Sequence, residues 1–203
     1  VTGLQQMKYQ ITNSRTSTGD CFFDYLTNTT YGAGLYESQI DTDSLDELTA
    51  YSSEEFTYTT YSGTTATQPR FKFNGVLDTS RSIMDNLQEM ATSCDCLLRY
   101  NEITGKWGVI VQKPTYTVAL TINDSNLIGA ISISPLDISN SYNVIECKFP
   151  DSGNQDAFNS ATFDLFEIAP SLTYPNEPIN KQSVTLSLVN NSVTAQYIAL
   201  SLI

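Results

Sequence analysis

The stretch FFDYLTNTTYGAGL, residues 22–35, decides the fold of this chain, because a short helical pattern ends there in an abrupt corner. Phe22, Phe23 and Leu26 have the spacing of residues along one side of a helix. Asp20 precedes them at a position suited to an N-cap, where its carboxylate would accept a backbone N–H. The pattern therefore predicts a short helix whose apolar side faces a core.

Two glycines end this predicted helix. Gly32 and Gly34 stand one residue apart, and a residue without a Cβ allows positive φ or the close approach of another backbone segment. We expect the chain to turn sharply here and to bring Tyr31 and Leu35 back onto the same core. Residues 22–35, called the elbow below, are thus predicted to fix the architecture without carrying chemistry.

Around the elbow, the composition favours β structure over a helical bundle. The 203 residues are 40 % hydrophobic and only 16 % charged, with twelve Tyr and nine Phe, so uncharged polar side chains must form much of the surface. This length suits one large domain or two modest ones, and we expect two.

The charge balance is strongly acidic. Lys and Arg number 10 against 22 Asp and Glu, which gives a formal net charge of −12. This charge argues against binding to nucleic acid phosphates, although an anionic wall that repels DNA is compatible with it. The sequence has no run of about 18 apolar residues, so it predicts no membrane span, and the N-terminus lacks the pattern of a signal peptide. The first residue is Val and the last residues are apolar, from which we expect a segment of a longer protein.

Before position 114, helical and strand patterns alternate. Ile83, Leu87 and Met90 should face the core from one helix, with Met84 as further filler, and Trp107 should anchor it from a strand. In order, we predict a strand at 4–12, a linker at 13–19, the elbow, a capped helix that starts within 40–48, a hairpin at 54–68, a strand at 70–77, a helix capped by 78–80 and a hairpin at 97–111.

After position 115, strand patterns dominate. They lie at 116–122, 130–134, 143–149, 162–168 and 183–189, and a helix starts at 191 or 192. The predicted fold is therefore α+β and β-rich. Residues 1–18 would end a preceding β domain or form a linker, residues 19–114 would form an α+β unit, and residues 115–203 would form a β module.

Metal sites find weak support in the sequence. Cys94 and Cys96 are separated by one residue, and the chain has no His, so the paired C-x-x-C zinc pattern is missing and the four cysteines are predicted to be free thiols. The acidic cluster of Asp41, Asp43, Asp46 and Glu47 departs from a calcium-binding loop, and we interpret it as helix capping. We assign no metal-binding residues.

Enzyme and sugar-binding alternatives remain open at this stage. The absence of His excludes a Ser/His/Asp or Cys/His mechanism within this chain, whereas a carboxylate pair such as Glu54 and Asp24 could serve a glycoside hydrolase. A carbohydrate-binding β module, as in an adhesin, could use Tyr58, Tyr61 or Tyr116 as stacking surfaces. We favour neither, and assign no catalytic residue and no cofactor.

The elbow carries a family resemblance. DYLTNTTYGAGL, residues 24–35, resembles the D-x-L-T-N-x-x-Y-G-x-G signature of the central tail-tip proteins of long-tailed phages, the host-specificity protein J family. RFKFNG at 70–75 with the following helix, and the hairpin at 98–111, resemble the next block of that family. NSYNVIECKFPD, residues 140–151, resembles a later strand. The matches occur in order from about Cys21 to the last helix.

The resemblance implies a structural protein rather than an enzyme. Members of this family, related in fold to baseplate hub proteins, form a homotrimeric hub that closes the tail tube. Residues 19–114 would then be an α+β hub domain, and residues 115–203 part of an antiparallel β-barrel hub domain that is truncated at its C-terminus. The implied partners are the distal tail protein and the tape-measure protein, with DNA passing unbound. The implied location is the virion tail tip, after synthesis in the host cytoplasm, with roles in host attachment and DNA delivery.

Overall fold

A computed structural model shows a mixed α+β fold, as the sequence predicts. It describes residues 15–60, 62–118, 120–123, 125–129, 132–135, 141–154, 157–174 and 176–202. The predicted strand at 4–12, most of the predicted segment 1–18, Tyr61 and the start of the predicted strand at 130–134 lie outside the described residues.

The described residues of the first part of the chain contain three α-helices and two hairpins. The helices are α1 (Thr18–Thr27), α2 (Thr42–Ser53) and α3 (Ile83–Ser93). The hairpins pair β1 (Glu55–Thr59) with β2 (Thr65–Pro69), and β3 (Cys96–Asn101) with β4 (Lys106–Val111), both antiparallel. The predicted hairpins at 54–68 and 97–111 are therefore confirmed.

The later part of the chain is built on one three-stranded sheet. Its central strand β5 (Val144–Asp151) pairs antiparallel with β6 (Ala157–Asp164) and parallel with β7 (Lys181–Thr185). A single helical turn, α4 (Leu165–Ile168), follows β6, and α5 (Ser192–Leu202) packs on β5 and β6. Among the described residues no sheet closes into a barrel, so the β-barrel hub domain stays a prediction.

The elbow folds back on the end of α1. The N–H of Ala33 donates to the Tyr25 carbonyl at 2.9 Å, and the N–H of Leu35 donates to the Leu26 carbonyl at 2.9 Å. A Cβ on Gly32 would lie 1.9 Å from the Tyr25 oxygen, and Gly34 has a φ of +65°. Both glycines are therefore required, the first by close packing and the second by its backbone conformation.

Two details of the predicted elbow are wrong. Ser17, not Asp20, occupies the N-cap of α1, because the helix begins one turn earlier and places Asp20 in its first turn. Tyr31 is exposed rather than buried, because its ring lies outside the corner while Leu35 packs against the core. Phe22 and Leu26 are buried as predicted.

Helix α2 joins the elbow unit to the second hairpin. Leu45 and Leu48 are buried as predicted, and Asp41 is the N-cap residue. The N–H of Asp41 donates to the Trp107 carbonyl at 2.7 Å, and the Ser44 hydroxyl accepts from the N–H of Val109 at 3.1 Å. The start of α2 is thus hydrogen-bonded to β4.

The predicted strand at 70–77 is wrong as a paired strand. Phe71 and Phe73 are buried and Lys72 is exposed, so the alternation is correct. The backbone N–H groups of Phe71, Phe73 and Asn74 donate to three separate segments, at the carbonyls of Ser52, Thr16 and Leu188. The segment therefore connects parts of the fold instead of adding to a sheet.

Helix α3 and the second hairpin depart from the prediction at three side chains. Leu87 and Met90 are buried, but Ile83 and Met84 are exposed, because α3 begins at Ile83 and its first turn extends beyond the core. The helix is capped by Ser82 rather than by 78–80. Trp107 is only half-buried and stacks on Tyr100 with ring centroids 5.1 Å apart, so it is no core anchor.

The strands predicted after position 115 are only partly present. The predicted strand at 143–149 corresponds to β5, and the last helix is confirmed. The predicted strand at 183–189 is present only at its start, because β7 ends at Thr185. The second half of the predicted strand at 162–168 is instead α4, because Asp164 accepts the N–H of Phe166 and starts a helical turn. The described residues of 116–122 and 130–134 form no strand, because no backbone–backbone hydrogen bond pairs them with another described segment.

One buried apolar cluster includes residues from both sides of position 114. Phe22 and Phe73 belong to it together with Ile145 and Ile198. Across the same divide, the Tyr51 and Tyr197 hydroxyls lie 3.2 Å apart. The division into domains at 19–114 and 115–203 stays a prediction. None of the described helices is long and apolar enough to cross a bilayer.

Candidate functional site

A cleft of about 260 Å³ lies beside the elbow. Polar groups from Arg15, Asp24 and Tyr31 line one part of it, and Phe73 and Met90 line its apolar part. The cleft arises because the corner carries Tyr31 outward while α1 keeps Asp24 facing it. The elbow therefore borders a cavity, although the sequence predicted no site there.

The polar groups of this cleft already bind one another. Asp24 accepts from the Tyr31 hydroxyl at 2.6 Å through one oxygen and forms an ion pair with Arg15 through the other. The Tyr31 hydrogen bond, followed by Arg15, lowers the pKa of the Asp24 carboxyl, and the same hydrogen bond raises the pKa of Tyr31. An ionised carboxylate with both oxygens engaged is suited to holding the elbow rather than to acting as a base.

A cysteine also lines this cleft. Cys21 lines the same cleft, and burial, followed by the charges of Asp20 and Asp24, raises the pKa of its thiol to about 11. The thiolate is the nucleophile and metal ligand, and at neutral pH this group is almost entirely protonated. The cleft thus offers no activated nucleophile from this residue.

The structure does not bring together the two carboxylates that a glycoside hydrolase would need. Asp24 lies in the cleft beside the elbow, whereas Glu54 follows the end of α2 and pairs with Arg70 at 2.7 Å. Each carboxylate has a different arginine as its partner. A shared substrate site between Asp24 and Glu54 finds no support in this arrangement.

The acidic cluster at the start of α2 behaves as part of a helix terminus. Asp43 lies in the first turn, where the helix dipole favours negative charge, and Glu47 forms an ion pair with Lys113. Among the described residues, no group of three or more acidic, Cys or His side chains could hold a metal ion.

The cysteines with the closest spacing lie at the junction of α3 and β3. The Sγ atoms of Cys94 and Cys96 are 3.5 Å apart, and both side chains are buried and free. Burial, followed by the hydrogen bond to Cys96, raises the pKa of the Cys94 thiol well above its ordinary value. Two buried free cysteines pack as small apolar side chains in the core.

The tyrosines considered for sugar stacking do not form one platform. Tyr58 lies in β1 with its ring 6.3 Å from that of Phe56. Tyr116 lies elsewhere, and its hydroxyl donates to the Val111 carbonyl at 2.9 Å and accepts from the N–H of Lys113 at 2.8 Å. Tyr61 lies outside the described residues.

A second cavity, of about 440 Å³, lies beside α5 and was missed by the sequence analysis. Tyr51, Asp95, Lys113 and Tyr197 line it, and burial raises the pKa of Asp95. The guanidinium of Arg70 lies 3.9 Å from the centroid of the Tyr51 ring, a cation–π contact that fixes this wall. No sequence signal predicts this site, because its residues are far apart along the chain.

An exposed apolar stretch follows β4. Tyr116, Val118, Leu120 and Ile122 are 59 %, 76 %, 72 % and 63 % exposed, and they alternate with polar residues at 115, 117 and 121. Among the described residues, no backbone–backbone hydrogen bond joins 115–118 or 120–122 to another segment. These residues, 115–118 and 120–122, are called the exposed segment below. Their alternation is that of a strand without a neighbour.

Comparisons with known proteins leave the function open. No model of a known protein family matches the chain, and no curated protein is significantly similar to it. The geometry therefore offers a closed polar network at the elbow and an unpartnered apolar segment, and it offers no assembled catalytic or metal centre among the described residues.

Proposed function

We propose that this chain is a structural segment of a phage tail tip, a hub that closes the tail tube and docks neighbouring tail proteins during host attachment and DNA delivery. The observation that carries the proposal is the signature-like stretch at 24–35, whose residues act together in the structure. Asp24 and Tyr31 hydrogen-bond to each other across the corner, and Gly32 admits the Tyr25 carbonyl. A motif with this purely architectural role suits a scaffold protein.

The charge of the chain supports the same proposal. With a net charge of −12, the surface repels phosphates, so DNA would pass such a hub without binding to it. The remaining parts of the proposal are a hub domain at 19–114, part of a β-barrel hub domain at 115–203, a homotrimer, contacts with the distal tail and tape-measure proteins, and location in the virion. Within the proposal, the chain has no catalytic role.

The test is genetic. The gene that encodes this chain is deleted from the phage genome and supplied in trans, and purified particles are analysed by mass spectrometry, immunogold labelling and infectivity. We expect peptides of the chain in complete particles, label at one end of the tail, and loss of infectious particles on deletion. Particles that lack the chain, or full infectivity after its deletion, would contradict the proposal.

A pair of variants makes this test specific to the elbow. Gly32→Ala places a Cβ against the Tyr25 carbonyl and should fail to restore infectivity, whereas Asp43→Ala changes an exposed residue of α2 and should restore it. If both variants restore infectivity equally, the elbow is not needed for the proposed function. An adhesin-like carbohydrate-binding role would show instead as saturable binding of the purified chain on a glycan array.

A further inference from the structure

The exposed segment has the properties of a strand that lacks its sheet. Residues 115–118 and 120–122 alternate apolar and polar side chains and contain no charged residue. Tyr116, Val118, Leu120 and Ile122 leave most of their apolar surface in water. Contiguous exposed apolar surface of this kind marks an interaction site more often than a free surface.

The same chain presents an open sheet edge of matching character. Strand β6 pairs only with β5 among the described residues, so its other side is an edge of the sheet, where the N–H of Ser160 donates to the Asn159 side chain at 2.9 Å. Natural edge strands are usually blunted by charged residues or by proline, yet β6 has neither before Asp164. Phe158 in this strand is 65 % exposed. An edge strand of this kind is suited to accept an added strand.

We propose that the exposed segment of one chain adds as a strand to the β6 edge of a second copy of this chain. The apolar face of the segment would then cover Phe158 of that copy, and backbone hydrogen bonds would extend the three-stranded sheet. The inference deepens the proposed homotrimer and rests on that part of the proposed function. It assigns to the homotrimer a contact that the family resemblance does not provide.

Charge favours this contact over other contacts between copies. Two chains that each carry a net charge of −12 repel each other, so copies associate best through surfaces without charge. The exposed segment is uncharged, and so is β6 up to Phe163. Strand β7 forms the other edge of the sheet but begins with Lys181, which is paired with Glu146 at 3.1 Å. The β6 edge is therefore the better acceptor.

The contact also has the symmetry that a ring requires. The exposed segment and β6 are different surfaces, so each copy donates a strand to one neighbour and accepts a strand from the other. Such a head-to-tail contact closes into a ring when the rotation per copy divides a full turn. A three-membered ring is the form that the proposed hub needs.

The test measures self-association of the purified full chain by sedimentation velocity over a range of concentrations, together with hydrogen exchange at low and high concentration. We expect concentration-dependent association, with amide protection gained in peptides that cover 115–122 and 157–164. The double variant V118S/L120S should weaken association at least about tenfold, which corresponds to about 1.4 kcal/mol. The control T117S/T121S changes the alternate polar positions of the same segment and should associate like the parent chain.

A second pair of variants tests the β6 edge. Phe158→Ser should weaken association as V118S/L120S does, whereas Tyr36→Ser, which removes another exposed aromatic ring, should not. Because all of these side chains are exposed, the variants are expected to keep the parent melting temperature. A chain that stays monomeric at every concentration would overturn the proposal. Protection of 115–122 that is already complete at the lowest concentration would also overturn it, because it would show pairing within one chain.

Failure of this contact and failure of the tail-tip function are distinguishable. A monomeric chain that is nevertheless found at the tail end of particles would reject the contact and leave the function standing. A chain that self-associates through 115–122 and β6 but is absent from particles would reject the function and leave the contact standing.

Discussion

The elbow and the exposed segment differ in how their polar groups are hydrogen-bonded and how their apolar side chains are buried. In the elbow, residues 22–35, backbone groups bind the end of α1 and the polar side chains of Asp24 and Tyr31 bind each other. In the exposed segment, the apolar side chains lie largely in water, and no backbone–backbone hydrogen bond joins its residues to another described segment, although the Thr121 carbonyl accepts from the Asn126 side chain at 2.9 Å. The difference teaches that one region is completed by its own chain, whereas the other has the composition of a surface completed by association.

The largest expected effect comes from deleting an apolar side chain in each region. Phe22→Ala in the elbow removes a fully buried ring, and such changes cost about 3–5 kcal/mol of stability. Leu120→Ala in the exposed segment removes a side chain that is largely in water and should change stability by less than about 0.5 kcal/mol. Urea denaturation of the isolated chain measures both values. Similar decreases in the free energy of unfolding would show that the exposed segment is packed in solution and would contradict the contrast between the two regions.

Glycine substitutions give the next largest difference. Gly32→Ala forces a Cβ into the Tyr25 carbonyl and should cost about 1–3 kcal/mol, because the elbow must shift to accept it. Gly129→Ala lies beyond the exposed segment, where φ is +111° but nothing lies within 4 Å. A Cβ there meets no atom and adds only backbone strain, so we expect a smaller loss. Thermal unfolding measures the melting temperatures of both variants. An equal decrease in the two would mean that the elbow accommodates a Cβ as readily as the open backbone at Gly129 does.

The second glycine of the elbow is expected to matter through its backbone conformation. Gly34 has a φ of +65°, and Val is β-branched, so Gly34→Val should cost about 1–2 kcal/mol or more. Asp43→Ala removes one acid from the first turn of α2 and should cost less than about 1 kcal/mol. Differential scanning calorimetry compares the two variants. Identical melting temperatures would refute the ranking.

The smallest effect concerns the polar network of the elbow and depends on pH. Tyr31→Phe removes the hydrogen bond to Asp24 and should lower the free energy of unfolding only slightly at neutral pH, because Tyr31 is exposed and water replaces the lost partner. The pKa of Asp24 is lowered in the folded chain, so its contribution is present above the unfolded pKa of about 3.9 and is lost as pH falls through the folded value.

The measurement for this variant is a stability profile between pH 7 and acid. The difference between the parent chain and Tyr31→Phe should be constant down to about pH 4 and then shrink. Asn28 also shapes the corner by accepting the N–H of Thr30, and Thr30→Ser, which keeps that backbone contact, serves as the control. A difference that grows as the pH falls would contradict the assigned role of the Asp24 carboxylate.

The sequence predicted those parts of the fold in which neighbouring residues determine the outcome. Helical spacing placed Leu45 and Leu48 inside, and turn residues predicted the hairpin that contains β3 and β4. The glycines of the elbow were identified for the right reason, because Gly34 has positive φ and Gly32 admits a backbone oxygen.

The sequence-based predictions failed where contacts between segments far apart in the chain determine the structure. The alternation at 71–73 was correct, but the sequence could not show that its N–H groups bind Ser52, Thr16 and Leu188 rather than a neighbouring strand. The cavity beside α5 brings Tyr51 and Tyr197 together from positions 146 residues apart, so no local pattern predicts it. Strand patterns at 116–122 likewise require a partner that the described residues do not supply.

The most direct test of the proposed tail-tip function is a cryo-electron microscopy reconstruction of the tail end of phage particles purified from a culture that produces this chain. We expect three copies around the tail axis, each with the α1, elbow and α2 arrangement, and residues 115–122 of one copy paired with β6 of the next. A tail end that lacks this chain would contradict the tail-tip function. Three copies whose residues 115–122 pair within their own chain would contradict the proposed contact.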